Sequence, residues 1–292
     1  MKMLSILILG IILLGINLSA KELTVYACGV TRVGFMKELN KAFEDKFKIK
    51  VNMNERGGDL FVLDGVANKK ADIGAGCREI LKDDEAEKNL WSTQVAWGAL
   101  GFIVNPKNKI DNISIENIKK ILTGEITNFK EIGGEDKPIH LIVRESKRSG
   151  VGLSAREHLF NDVDKDFTDK AKKVKNSDFV IEEVAKDENA FAIDNVISSS
   201  RHKNIKLLKV DGVEPTKENI LLDKYVLRQA LYFYINGKPK DDDIKKYVDF
   251  ALSDEGQEVI SKTGTANLEE ASGKGDEENF IFQNLQFDIK SK

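Results

Sequence analysis

Proline is scarce in this chain, with four residues among 292, and no Ser- or Pro-rich stretch occurs. That excludes a rigid stalk or an extended disordered linker. Histidine is rarer still: His140, His158 and His202 are scattered. They form no HExxH pair and show no ligand spacing with the cysteines, and no G-x-S-x-G elbow accompanies them, so the commonest hydrolase signatures are missing and no metal or cofactor is expected. A basic excess is also lacking, since 45 Lys and Arg face 48 Asp and Glu for a net charge of −3. Nucleic acid is therefore not an expected partner, and any bound anion must be held by local groups against a weakly repulsive field. Beyond the N-terminus no second apolar run invites a membrane. Only Cys28 and Cys77 carry thiols.

What is present begins with a leader. Met1-Lys2-Met3 precede an apolar run over 4–18, then Ser19-Ala20 and the charged pair Lys21-Glu22. A positive start, an apolar centre and a small residue before the charge predict a signal peptide over 1–20, cleaved near Ala20. The run is too short for a comfortable membrane span. Export to the periplasm follows. Two rivals to that cleavage are a retained anchor helix and a lipoprotein box at Val25-Tyr26-Ala27-Cys28, the latter opposed by the intervening Lys21 and Glu22. In an exported chain two cysteines point to one disulfide, although sequence does not prove the pairing.

The mature chain alternates strand and helix signals. A β-rich run over 23–27 is followed by helical apolar spacing at Phe35, Leu39, Phe43 and Phe47. A strand over 49–53, a helix over 60–67 and a short buried strand over 71–74 complete a first α/β set with parallel pairing. The apolar run over 95–105 ends at Pro106 and is long enough to cross between two lobes. Behind it a second set reads as helix 114–122, strand 139–143, helix 152–160, helix 179–185 and strand 190–193. A strand over 230–235 and two helices over 242–262 return the chain. The expected division is lobe 1 over 21–104 plus about 230–292, and lobe 2 over 105–229.

In parallel sheets, ligands gather beyond the carboxyl ends of strands, where helix N-termini present free N–H groups. Four such loops carry glycine, hydroxyls and arginine: Cys28-Gly29-Val30-Thr31-Arg32, Arg56-Gly57-Gly58-Asp59, Gly74-Ala75-Gly76-Cys77-Arg78-Glu79 and Arg144-Glu145-Ser146-Lys147-Arg148-Ser149-Gly150. Glycine admits backbone amides, hydroxyls donate, and a guanidinium forks onto two oxygens, a set suited to a tetrahedral oxyanion. Each loop alone is also ordinary turn chemistry.

The stretch Leu-Thr-Gly-Glu-Ile-Thr-Asn-Phe-Lys-Glu-Ile-Gly-Gly from Leu122, continuing to Pro-Ile-His-Leu-Ile-Val-Arg and Ser149-Gly150, resembles the phosphate-binding proteins of ABC importers. So do Asp72-Ile73-Gly74 and Phe250-Ala251-Leu252-Ser253-Asp254-Glu255-Gly256-Gln257 with Gly264. The resemblance implies an α/β, type II periplasmic-binding fold, two lobes closing on a dehydrated oxyanion. It implies a monomeric receptor, phosphate as the favoured ligand, and importer membrane subunits as partners. By position, Thr31 and Arg32 fall in the first anion loop and Asp59 in the second. Cys77, with Arg78 beside it, falls in the third, and Arg144, Ser149 and Gly150 form the second lobe's clamp. Relatives place serine where Asp59 stands and Ser-Gly-Thr where this chain has Ser149-Gly150-Val151. Asp59 either accepts a proton from the ligand or caps its helix. The fold also implies that the strands before Cys28 and Cys77 are neighbours. The thiols are then a disulfide, a free pair for a soft ligand such as a metalloid, or simply buried.

Rival functions remain at this level. A sensor for a membrane signalling protein would use the same fold and site, and an enzyme would need a catalytic group the histidines do not supply. His140, in an apolar strand, reads as packing.

Overall fold

The computed structural model describes residues 22–272. The signal peptide expected over 1–20 and the charged tail beyond 272 lie outside the described residues.

The first lobe follows the alternation read from sequence. β1 (Glu22–Ala27) buries Leu23, Val25 and Ala27 on one face and leads into α1 (Gly29–Thr31). A π-helical segment, Arg32–Met36, continues into α2 (Lys37–Phe47). β2 (Lys50–Met53), α3 (Asp59–Ala67) and β3 (Ile73–Gly76) follow, with β1 parallel to both β2 and β3. β3 is buried at all four positions, as expected for an inner strand.

β4 (Leu90–Val104) then runs for 15 residues without a break. The second lobe holds β5 (Asn112–Ile113), α4 (Ile115–Thr123), β6 (His140–Arg144), α5 (Gly150–Phe160), β7 (Lys172–Val174) and α6 (Ser177–Lys186). β8 (Ala190–Asn195), α7 (Val196–Ser199), β9 (Lys206–Leu207), β10 (Lys209–Val210) and α8 (Lys217–Leu221) complete it. The chain returns through β11 (Arg228–Asn236) and ends in α9 (Asp242–Leu252), α10 (Asp254–Lys262) and α11 (Leu268–Ser272). Helix boundaries carry the usual punctuation: Ser114 accepts a hydrogen bond from Asn117 N, and Gly124 closes α4 in the left-handed region at φ 83°.

The strand order is β2-β1-β3-β11-β4-β8-β6-β7, so one sheet path passes through both lobes. β4 is the seam. Its first part, Leu90 to Ala99, pairs antiparallel with β11, and Leu100 to Val104 pair antiparallel with β8. The apolar run does cross between lobes, but it changes partners in mid-strand, well before Pro106. The change of partner falls between Ala99 and Leu100, and the returning strand β11 takes up its pairing with β4 from Arg228.

The lobes are drawn together. Arg32 pairs with Asp178 at 2.6 Å, Arg56 with Glu182 at 2.7 Å, and Arg148 with Asp84. At the crossing Gln229, which is buried, sets its Nε2 within donating distance of Cys77 O (2.8 Å), Gly150 O (3.1 Å) and Ser154 Oγ (2.7 Å). Its Oε1 accepts from Asn195 Nδ2 at 2.6 Å. One side chain thus ties β11 to both lobes.

Candidate functional site

Between the lobes lies a small pocket lined by residues of both. Its wall is made from the starts of four helical segments: Gly29 and Val30, Gly58 and Asp59, Ser149 and Val151, and Asn176 and Ser177. Cys28, Arg144 and Lys175 complete it. The first N–H groups of a helix have no acceptor within it, and its dipole places partial positive charge there. Three of these segments, α3, α5 and α6, are nine to eleven residues long, so the cavity collects donors from both lobes. Glycine permits the close approach. A Cβ on Gly29 would stand 3.0 Å from Ser177 Cβ, and one on Gly150 would stand 2.6 Å from Cys77 Sγ.

Arg144, the last residue of β6, brings the one guanidinium to the wall, beside Asp59 and Lys175. Its Nη2 donates to Ser177 Oγ at 2.8 Å and to Asp194 Oδ1 at 2.5 Å. Ser177 Oγ also donates to Asp194 Oδ1 at 2.7 Å, and Ser198 and Ser199 hydroxyls donate to Asp194 Oδ2. Asp194 is 0% exposed, so this cation and its hydroxyl partners are what make a buried carboxylate tolerable there. The other terminal guanidinium nitrogen, Nη1, is buried without a hydrogen-bond partner among the described residues. A buried, unpartnered donor on a positive charge calls for an acceptor.

Asp59 is the first residue of α3, beyond its Gly58 cap, and its carboxylate does not cap the helix. Instead Oδ1 accepts from Cys77 N at 2.7 Å, and Oδ2 accepts from Gly150 N at 3.2 Å and Cys77 Sγ at 3.3 Å. A first-lobe carboxylate therefore holds the N-terminus of a second-lobe helix.

Of the residues expected to bind ligand, Asp59, Arg144 and Ser149 line the cavity, and the others do not. Thr31 turns its hydroxyl to Ala75 O at 2.9 Å. Arg32 is committed to Asp178 across the cleft. Arg78 forks onto Glu87 at 2.8 and 2.5 Å and donates from Nε to Arg148 O at 2.7 Å, so it braces loops. Ser149 caps α5, accepting from Gly152 N at 3.2 Å and donating to Ser146 O at 2.9 Å. Cys77 and Gly150 stand behind the wall, in contact with Asp59. The disulfide expectation also needs correction. β1 and β3 do pair side by side, yet both cysteines are free, with the Cys77 thiol hydrogen-bonded to Asp59. The hydrogen bond with Cys28, burial and the Asp59 charge push the Cys77 thiol well above its usual range, holding it protonated.

Sequence reasoning missed Ser177, Asn176 and Asp194. Asn176 caps α6 through Phe179 N, a signal that starts the helix two residues earlier than the apolar spacing does. Asp194, a lone charge at the end of an apolar strand, was the visible sign of a buried partner for Arg144. His140 is exposed, pairing with Asp187 at 2.7 Å rather than packing inside.

Known proteins share this architecture. The PBP superfamily domain matches residues 31–255. The phosphate-binding protein PstS of Borreliella burgdorferi is 32% identical over 222 residues, covering 74% of this chain and 78% of that protein. A crystal structure of a putative phosphate ABC transporter substrate-binding protein with bound phosphate, from Clostridium perfringens, superposes with a TM-score of 0.76 at 26% identity. It covers 85% of this chain and 99% of that one. An ABC-type phosphate transport receptor from Vibrio cholerae shares the fold, with a TM-score of 0.62 at 23% identity and coverage of 84% and 99%. With a domain match spanning most of the chain and a relative of this identity, the chain belongs to the PBP superfamily and, within it, to the family of PstS phosphate-binding proteins.

Proposed function

We propose that this protein is an extracytoplasmic receptor that encloses phosphate between its lobes and presents it to the membrane subunits of an ABC importer. The observation that carries this reading is the buried, unpartnered Nη1 of Arg144 on the wall of a cavity where α3, α5 and α6 begin. Phosphate oxygens would take that donor and the free N–H groups of the helix starts. The named activities of the PstS relatives support the same ligand. Export by a signal peptide cleaved near Ala20 and a monomeric state belong to the same proposal.

Asp59 supplies selectivity. A carboxylate offers about four lone-pair sites, and three donors already occupy those of Asp59. The remaining site suits an O–H of protonated phosphate, whereas fully ionised sulfate has no hydrogen to give it. Binding rather than catalysis fits the surroundings. The hydroxyls of Ser149 and Ser177 are engaged by Ser146 O and Asp194, and His140 and His158 bond elsewhere, to Asp187 and Ser154 O.

Calorimetry of ligand-stripped protein against phosphate, arsenate and sulfate tests the assignment. Phosphate should bind at least about tenfold more tightly than sulfate, a difference of about 1.4 kcal/mol. Small-angle scattering should show a smaller radius of gyration on phosphate addition. Sulfate binding as tight as phosphate would overturn the assignment.

A further inference from the structure

Cys28 and Cys77 have no part in phosphate binding as derived above. They follow adjacent strands, Ala27 standing opposite Ala75, and this register brings them together, Cys28 in the cavity wall and Cys77 directly behind it. Both sulfurs and a carboxylate oxygen of Asp59 lie within 4.8 Å of one another, and all three residues are buried. Cys28 forms part of the cavity wall, so the pair is reached from the space where the oxyanion would sit. Two unbonded thiols at that spacing suit a single soft, thiophilic atom.

The surroundings select what kind of atom. A bare cation entering here would meet Arg144 and the positive ends of three helices. It would also have to displace both thiol protons and leave two thiolates and a carboxylate around it. A neutral oxyacid of a trivalent metalloid meets neither obstacle. Its condensation balances as As(OH)3 + 2 R–SH giving (RS)2As–OH + 2 H2O. Two As–O bonds break, two As–S bonds form, the thiol hydrogens leave in water, and no oxidation state or net charge changes. Asp59 Oδ2, which already accepts from Cys77 Sγ, is placed to take that hydrogen as the sulfur attacks. The remaining As–OH would face the donors that line the oxyanion space.

We propose that Cys28 and Cys77 form a dithiol site, opening on the oxyanion cavity, for the trivalent oxyacid of a thiophilic metalloid. The proposal rests on the cavity being an oxyacid receptor, and its test keeps the two readings apart. Reduced, ligand-stripped full-length mature protein is incubated with arsenous acid, and in parallel with Zn2+, then studied by native mass spectrometry and thiol titration. Phosphate binding by the same untreated sample is measured separately, so that its failure bears on the receptor reading alone. The expected result is one adduct per chain, with the mass of As(OH)3 less two waters and loss of both titratable thiols. Cys28→Ser and Cys77→Ser should each abolish that two-thiol adduct. Cys28→Ala, which introduces no new hydroxyl, serves as a second variant if Cys28→Ser does not fold. No adduct in the reduced protein, an adduct that survives either substitution, or retention of Zn2+ without an arsenous acid adduct would overturn the proposal.

Discussion

Arg144→Ala is expected to weaken phosphate binding by about 2–4 kcal/mol, the range for truncating one partner of a buried, charge-assisted hydrogen bond. The same change should lower stability. Arg144 is the cation beside the fully buried Asp194, and removing one partner of such a pair typically costs about 3–5 kcal/mol. The hydroxyls of Ser177, Ser198 and Ser199 remain around Asp194 and should hold the loss towards the lower end. Arg144→Lys separates the two effects. It keeps a charge near Asp194 but gives up the planar fork, so one nitrogen cannot serve both Asp194 and the ligand. Melting of the ligand-free Lys variant should stay near wild type, while calorimetry reports weakened phosphate binding. Wild-type affinity in the Lys variant would remove Nη1 from the site.

Gly150→Ala should produce the second large effect by a different route. The added methyl would stand 2.6 Å from Cys77 Sγ and 2.7 Å from Asp59 Oδ2. Both obstacles belong to the opposite lobe, and alanine at the start of α5 is no hindrance to the helix. The clash is therefore felt only when the lobes are together. Overpacking costs about 1–3 kcal/mol, and a cost confined to the closed form lowers ligand affinity by about 5–150-fold. Ligand-free melting should hold, and scattering should show less compaction at a given phosphate concentration. Unchanged affinity would mean that the lobes need not meet at Gly150 for ligand to be held.

The order of strands and helices was readable because the lobes are built from amphipathic and fully apolar segments whose periods differ. Short pieces, such as β7 and the β5–β10 pair, carried too few residues for a period to emerge. At the site, Arg144 and Asp59 could be found because each follows a strand and opens or precedes a helix start. Arg32 and Arg78 satisfy the same rule yet are turned away by carboxylates 146 and 9 residues distant, which no loop pattern announces. Thr31 shows the same difficulty at shorter range. Its hydroxyl found a carbonyl on the neighbouring strand, and only the register of β1 against β3 puts Ala75 there. Local chemistry identified the donors, and long-range pairing decided which of them were left over for a ligand.

The change of partners within β4 has a bearing on how the molecule comes apart. A receptor whose lobes were joined by loose tethers could lose one lobe while keeping the other, and would melt in two steps. Here the backbone amides on either side of Ala99 belong to one unbroken strand, bonded to β11 on one stretch and to β8 on the next. Releasing either lobe frays the edge on which the other is built. The two should therefore behave as a single cooperative unit, with the amides around Ala99 and Leu100 among the slowest to exchange their hydrogens with solvent, opening only when the whole chain unfolds.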